Sequence, residues 1–343
     1  MTQDNSEIGS QDGKPAGEGA GPAGGRDRSA GAPGPAGARS EYAVFAVIIG
    51  LLVIAPFVVY PVFLMKCLCM ALFACAFNLL IGYVGLLSFG HAMFLGGAGY
   101  VSAHAAKAWG APPELAILLG TASSAGLGLV VGWLAIRRQG IYFAMITLGL
   151  AQMIYFLCLQ AKFTHGEDGI QGVPRGALFG VIDLGDTMVM YGFVLIIFLI
   201  GFAIIYRVIH SPFGAVLTAI RENEVRAISL GYNTDHYKLI AFVLSASLAG
   251  LAGATKALVF QLASLTDVHW TMSGEVVLMT LIGGLGRFSG PVVGAFVVVA
   301  LENYLARFGG WVTVVQGLVF VLCVLTFRQG IIGKLSAALN RPL

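Results

Sequence analysis

Hydrophobic runs recur along most of this chain, separated by short polar or glycine-rich links. A transmembrane helix needs about 20 apolar residues. On this pattern we predict an all-α polytopic membrane protein with about ten spans, at residues 42–60, 62–82, 82–109, 114–136, 141–161, 187–209, 239–262, 273–286, 292–305 and 311–327. The eighth is too short to cross hydrocarbon alone, since a helix rises about 1.5 Å per residue. It is therefore expected to lie against protein or a water-filled cavity.

One long polar stretch interrupts the runs, at residues 211–238, with the sequence SPFGAVLTAIRENEVRAISLGYNTDHYK. Ser211 is a favoured helix N-cap and Pro212 suits the first helical position. Asn223 is suited to cap a second short turn, and Gly231 to stop it. The charged residues between these signals are Arg221, Glu222, Glu224 and Arg226. Connections are usually a handful of residues, so this length favours a helix on which a partner docks; a solvated loop is the alternative.

The long loop at residues 162–186 divides the predicted spans into five and five, of which the first set starts inside and the second outside. That arrangement predicts an inverted repeat. The positive-inside rule places Arg137, Arg138 and Arg207 in the cytoplasm. Both termini are then cytoplasmic, provided that the segment 273–286 crosses the membrane. If it dips in and out instead, the basic C-terminus lies outside.

Each half contains a glycine-interrupted third member, at residues 82–100 and 281–294. Broken segments at matching positions of two repeats usually indicate a substrate pathway. Close helix packing through small residues is the alternative. The residues predicted here to line a pathway or a permease interface are Asn78, Ser88, Gly90, His91, Gly283, Gly284 and Gly286.

Composition supports the membrane assignment, because 57% of the residues are hydrophobic and 11% are charged, against roughly 25% charged in soluble domains. The net charge of +3 is too small to indicate a nucleic-acid partner. The cysteines lie in apolar runs with neither disulfide nor zinc spacing, so they are interpreted as packing residues and no metal site is predicted. They are Cys67, Cys69, Cys75, Cys158 and Cys323.

The first 40 residues differ in kind, since Gly, Ala and Pro make up 21 of them. Such a segment cannot bury enough apolar surface to order itself, so we predict a disordered cytoplasmic tail at 1–40. The membrane domain is expected at 41–335, and a short cytoplasmic tail at 336–343.

Ionisable residues at membrane depth are few: His91, His104, Lys107, Lys256, Glu275 and Glu302. His104, Lys107 and Lys256 are expected to snorkel to the outer interface, as is Lys66.

The sparseness of ionisable residues argues against a proton-coupled carrier and an ion channel, and the chain has no nucleotide-binding P-loop. A pathway of small and apolar residues suits a neutral or zwitterionic solute, with energy supplied by an ATPase on the polar helix. A passive facilitator and a membrane-embedded enzyme are the alternatives; an enzyme would need a cluster of His, Asp or Glu at one depth, and none is found.

Several blocks resemble one family. SPFGAVLTAIRENEVRAISLGYNTDHYKLIAFVLSASLAGLAGA resembles the signature region of bacterial branched-chain amino acid ABC transporter permeases, M-type. Further blocks resemble that family in the same order: NLLIGYVGLLSFGHAMFLGGAGY, RRQGIYFAMITLGLAQ, HGEDGIQGVP and LIGGLGRFSGPVVGA. The resemblance covers about residues 42–335, leaving only the N-terminal tail clearly outside it.

The resemblance implies a bacterial inner-membrane permease that binds no cofactor itself. It implies a second related permease, two cytoplasmic ATPases that use ATP and Mg²⁺, and a periplasmic solute-binding protein. Residues 211–231 would hold the coupling helix, with ATPase contacts at Ser211, Pro212, Arg221, Glu222, Asn223, Glu224, Ala227 and Gly231. Ala227 and Gly231 match the broader EAA-x-x-x-G loop of ABC importers, whereas Val225 and Arg226 replace its Glu and Ala. Branched-chain amino acids are the expected cargo, and urea or another small neutral solute is the alternative.

Overall fold

The computed structural model describes residues 50, 52–138, 140–306, 314, 315, 317, 318 and 321. The predicted tails, about half of the first predicted span, most of the last predicted span, and Cys323 lie outside these described residues. Within them the chain is mostly helical. The α-helices are α1 (Pro61–Asn78), α2 (His91–Ala108), α3 (Pro113–Ala135), α4 (Ile141–Gln160), α5 (Thr187–Ile209), α6 (Pro212–Glu222), α7 (Glu224–Ser229), α8 (Thr234–Phe260), α9 (Trp270–Gly283) and α10 (Gly290–Leu305).

A π-helix extends α1, and the remaining elements are small. The π-helix is Leu79–Val84. The 3-10 turns are Ala55–Phe57, Lys162–Thr164, Gly166–Asp168 and Leu265–Asp267. The strands form two antiparallel pairs, β1 (Ile170–Gln171) with β4 (Leu262–Ala263) and β2 (Ala177–Leu178) with β3 (Ile182–Asp183).

Five helical stretches among the described residues are long and apolar enough to cross a membrane. They are Pro61–Val84, Pro113–Ala135, Ile141–Gln160, Thr187–Ile209 and Thr234–Phe260. Each corresponds to a predicted span, and the shorter α9 and α10 correspond to the eighth and ninth. The predicted shortness of the eighth is confirmed, since α9 has 14 residues.

Two boundaries differ from the sequence-based prediction. The third span was expected to begin at residue 82, but this part of the chain continues α1 as the π-helix, and α2 begins at His91. The π-helix ends at Gly85, where φ is 81°, and residues 85–88 are non-helical. The second difference is that residues 234–238 of the polar stretch belong to α8, because Asn233 caps that helix by accepting a hydrogen bond from the His236 amide at 3.4 Å.

The central helices α1 and α8 contact each other, and each also packs against the opposite half of the chain. Helix α1 packs against α9 and α10, whereas α8 packs against α2 and α3. Small residues permit this closeness. A Cβ on Gly253 of α8 would lie 1.9 Å from the Leu95 carbonyl oxygen of α2, and one on Gly294 of α10 would lie 1.8 Å from the Met279 carbonyl oxygen of α9.

Helix α8 defines the two ends of the bundle, which are about 40 Å apart for a helix of this length. At the first residue of α8, Thr234 donates a hydrogen bond to Glu224 of α7, which lies in the polar segment (residues 211–231). We call this end of the bundle the polar-segment end. Near its last turn Lys256 pairs with Asp267, just before α9, and β4 pairs with β1 of the 162–186 loop; we call this the loop end. Helix α9 begins near the loop end and is followed by Gly286, which lies against Arg221 of α6. It is therefore directed towards the polar-segment end, although its 14 residues rise only about 21 Å.

The three lysines expected to snorkel have partners within the protein. Lys66 of α1 pairs with Glu302 of α10 at 3.2 Å, and Lys256 pairs with Asp267 at 2.5 Å. Lys107 donates to the Gln171 carbonyl oxygen at 2.6 Å. These lysines connect neighbouring elements at the loop end, and their position relative to the membrane interface stays a prediction.

Candidate functional site

The polar segment (residues 211–231) is built from two capped helices. Ser211 caps α6, since its Oγ accepts a hydrogen bond from the Gly214 amide at 3.4 Å, and Pro212 occupies the first helical position. Asn223 caps α7, since its Oδ1 accepts from the Arg226 amide at 3.0 Å. All three positions were predicted from local sequence, and the structure confirms their geometry.

Gly231 stops α7 in the left-handed region, with φ at 89°. Its amide donates to the Ile228 carbonyl oxygen at 2.9 Å, and the Tyr232 amide donates to the Ala227 carbonyl oxygen at 3.2 Å. This pattern satisfies carbonyls that a helix end would leave unpaired. Ala227 is buried, with 2% of its surface exposed, so Ala227 positions the turn and does not itself present a contact surface.

Glu224 lies in the segment but its carboxylate is already engaged. Its Oε1 accepts hydrogen bonds from Lys238 Nζ at 2.5 Å and Thr234 Oγ1 at 3.0 Å, both on α8. Glu224 thus fixes α7 to the start of α8. Glu222, by contrast, is exposed at the end of α6.

An apolar surface stands out on α7 and the turn after it. Val225, Ile228 and Leu230 are 75%, 56% and 71% exposed. Reasoning from charge and caps missed these residues as candidates, although Val225 and Ile228 have the i, i+3 spacing that puts two side chains on one helix face. Exposed apolar residues in a polar segment are a feature of protein interaction sites.

Arg221 and the predicted pathway residues Asn78 and Gly286 come together at one junction. Arg221 Nη1 donates to the Gly82 carbonyl oxygen in the π-helix. Asn78 Oδ1 accepts from the Gly286 amide at 3.1 Å, and its Nδ2 donates to the Arg287 carbonyl oxygen at 3.0 Å. The polar segment therefore contacts the interrupted regions of both halves of the chain.

The remaining glycines of the second interrupted region shape the turn between α9 and α10. A Cβ on Gly283 would lie 1.9 Å from the Gly290 carbonyl oxygen, so only glycine fits there. Gly284 and Gly286 have φ of 115° and 71°. These positions pack backbone against backbone, as the alternative to a pathway lining predicted.

Ser88, Gly90 and His91 form a separate group at the start of α2. The Ser88 Oγ accepts from the Gly90 amide at 3.3 Å. A Cβ on Gly90 would lie 2.5 Å from the Thr147 carbonyl oxygen, so α2 begins in close contact with α4.

His91 is fully buried between α1, α2 and α8. Its Nε2 shares a hydrogen bond of 2.9 Å with Ser245 Oγ, and Ser245 Oγ donates to the Ala76 carbonyl oxygen at 2.5 Å. The rings of Phe77, Phe94 and Phe242 surround it edge to face. Its observed role is to link three helices, with Ser245 as a partner that sequence spacing did not reveal.

Metal-binding chemistry has no support in the part of the chain that the structure describes. No group of three or more His, Cys, Asp or Glu residues gathers there with a geometry that could hold an ion. The arrangement joins an exposed apolar surface, through Arg221, to the π-helix and to the α9–α10 turn.

Comparison with known proteins finds similarity to transport permeases. The family model described as "Branched-chain amino acid transport system / permease component" matches residues 60–325. The chain is 26% identical to the high-affinity branched-chain amino acid transport system permease protein LivM of Salmonella typhimurium, and 25% to that of Escherichia coli; each match covers 74% of this chain and 65% of the relative. It is also 28% identical to the ribose import permease protein RbsC of Bacillus subtilis, over 64% of this chain and 70% of the relative. No solved structure matches the chain.

Proposed function

The chain belongs to the family of branched-chain amino acid transport system permease components, and on this premise we propose that it is the membrane-spanning subunit of an ATP-driven importer. Its cargo is a branched-chain or similar neutral amino acid. The similarity to two LivM proteins supports this choice over a sugar, the cargo named for RbsC. Urea or another small neutral solute is the alternative cargo for the same architecture.

The observation that carries the proposal is the polar segment, which we now call the coupling segment (residues 211–231). It holds an exposed apolar surface of Val225, Ile228 and Leu230 on a rigid frame of caps and an ion pair. An apolar helix face can seat in a groove of a soluble partner. We propose that this surface binds a cytoplasmic ATPase subunit, which hydrolyses ATP with Mg²⁺.

The proposed membrane arrangement is ten spans in two inverted halves, with both termini in the cytoplasm of a bacterial inner membrane. Two features support it. Helix α9 is directed from the loop end towards the polar-segment end, which is the direction that a short crossing segment would take. The central helices α1 and α8 each pack against the third and fourth members of the opposite half, which is the exchange expected if the halves are related by a pseudo-two-fold axis in the membrane plane.

The proposed complex contains a second related permease, two ATPases and a periplasmic binding protein. The test is reconstitution of the chain with these partners in lipid nanodiscs. ATP hydrolysis is measured with binding protein alone and with leucine, urea or ribose added. Stimulation by leucine supports the class and the cargo together. Stimulation by urea or ribose alone would retain the importer and replace its cargo, whereas a chain that associates with no ATPase would be a passive facilitator.

A further inference from the structure

Arg221 is engaged differently from the other charged residues at the end of α6. Although the residue as a whole is exposed, its guanidinium does not simply extend into water. Nη1 donates to the carbonyl oxygen of Gly82, which lies within the π-helix that ends α1. The Arg221 side chain therefore bonds the coupling segment to the first interrupted region.

The methylene groups of the Arg221 side chain touch Gly85, three residues after Gly82. A Cβ on Gly85 would lie 2.9 Å from Arg221 Cγ. Gly85 is also the residue at which the π-helix ends and the chain leaves helical geometry. Arg221 thus contacts the interrupted region at two points, through its guanidinium before the break and through its methylene groups at the break.

The second interrupted region reaches the same point. A Cβ on Gly286 would lie 3.4 Å from Arg221 Nη1 and 3.3 Å from the Gly82 carbonyl oxygen. Gly286 is held there by Asn78, whose side chain accepts from its amide. One guanidinium therefore lies where α6, the end of α1 and the α9–α10 turn meet.

We propose that Arg221 is a positioning residue that transmits displacement of the coupling segment to the interrupted regions of both halves at once. This assignment rests on the proposed function and replaces the expectation that Arg221 contacts the ATPase. Transmission needs a connection that is stiff and specific. A guanidinium bonded to a backbone carbonyl, with its stem packed against glycine, meets both conditions better than a mobile surface arginine.

The test uses the reconstituted complex with three substitutions, Arg221→Ala, Arg221→Gln and Arg221→Lys. Arg138→Ala is the matched control, because Arg138 is another exposed arginine that follows a helix and has no part in the junction. Three quantities are measured for each variant: co-purification of the ATPase, basal ATP hydrolysis, and stimulation of hydrolysis by loaded binding protein.

We expect Arg221→Ala to keep co-purification and basal hydrolysis while stimulation falls by about fivefold or more, the scale of energetic coupling between sites. Arg221→Lys should recover part of the stimulation, because its ammonium can still donate to the Gly82 carbonyl oxygen. Arg138→Ala should behave as the wild type. If Arg221→Ala fails to assemble, Arg221→Gln is used, because it keeps most of the side-chain stem against Gly85. A fall in stimulated hydrolysis with unchanged basal hydrolysis in Arg221→Gln would then support the transmission role, and unchanged stimulation would contradict it.

Two results would overturn the inference. Undiminished stimulation in Arg221→Ala, in a complex whose wild type responds, would remove the transmission role alone. Loss of ATPase co-purification from an otherwise stable Arg221→Ala chain would make Arg221 a docking contact. A wild-type complex that never recruits an ATPase would instead contradict the proposed function on which the inference rests.

Discussion

At the scale of single residues, the coupling segment depends on a few positions whose geometry is set by local chemistry. Ser211, Asn223 and Gly231 act through neighbours within three or four residues along the chain. Because caps and stops are local, their positions could be predicted from the sequence alone. The roles of Arg221 and Glu224 could not, since their partners Gly82 and Lys238 lie 139 and 14 residues away and are brought close only by tertiary folding.

Replacing Gly231 with Val should disturb the end of α7 without any clash. No atom lies within 4 Å of a Cβ built at Gly231, so the cost is backbone strain, about 1–2 kcal/mol for a side chain in the left-handed region. We expect assembly to persist and ATP hydrolysis stimulated by loaded binding protein to fall, because Val225, Ile228 and Leu230 are misplaced.

The matched control is Gly231→Asn, since asparagine tolerates the left-handed conformation better than most residues. Stimulated hydrolysis should be closer to wild type in this variant than in Gly231→Val. Equal, normal stimulation in both would mean that the positive φ at this stop does not matter for coupling.

At the scale of elements, the positions of most spans follow from apolar run lengths, but the start of α2 does not. Residues 82–84 are apolar and glycine-containing and read equally well as the end of one helix or the start of the next. The structure assigns them to a π-helix, and π-helical turns have no run-length signature. Pairing of Lys66 with Glu302 was equally hidden, because run length gives no information about which helices are neighbours.

The Lys66–Glu302 ion pair should contribute to the association of α1 with α10. We expect Lys66→Met and Glu302→Gln each to lower the thermal unfolding midpoint of the chain in detergent. The double substitution should cost less than the sum of the two, with a coupling energy of about 0.5–1 kcal/mol, because the pair is partly exposed.

The control pair for this cycle is Lys66 with Glu224, which pairs with Lys238 at the opposite end of the bundle. Additive effects of Lys66→Met and Glu224→Gln are expected. If the effects of Lys66→Met and Glu302→Gln were also additive, the interaction between the two side chains would contribute nothing measurable to stability.

At the scale of the whole molecule, the exchange of packing partners between halves explains what the sequence could and could not reveal. The predicted five-and-five division comes from counting apolar runs on either side of the long loop. The contacts of α1 with α9 and α10, and of α8 with α2 and α3, depend on three-dimensional arrangement. Gly90 and Gly283, one in each predicted broken segment, pack against backbone, and the pathway lining stays a prediction.

The proposed topology makes a direct prediction for cysteine labelling in a chain whose native cysteines have been replaced. Leu285 is exposed in the α9–α10 turn and Val181 is exposed in the 162–186 loop. Leu285→Cys should react with a membrane-impermeant thiol reagent only from the cytoplasmic side, and Val181→Cys only from the outside.

Ile228→Cys in the coupling segment serves as the cytoplasmic reference. Labelling of Leu285→Cys from the outside, with Ile228→Cys still labelled from the cytoplasm, would show that α9 does not cross. The ten-span arrangement would then be replaced by a re-entrant one.

The hydrogen bonds of Asn78 also bear on how the protein is made. Asn78 leaves the ribosome 208 residues before Gly286, which is roughly 10–40 s of synthesis at about 5–20 residues per second. Throughout that interval the Asn78 amide has no hydrogen-bond partner in the α9–α10 turn, because that turn has not yet been synthesised. We therefore expect the nascent first half to be more readily cleaved by proteases than the complete chain, in which Asn78 has both hydrogen bonds.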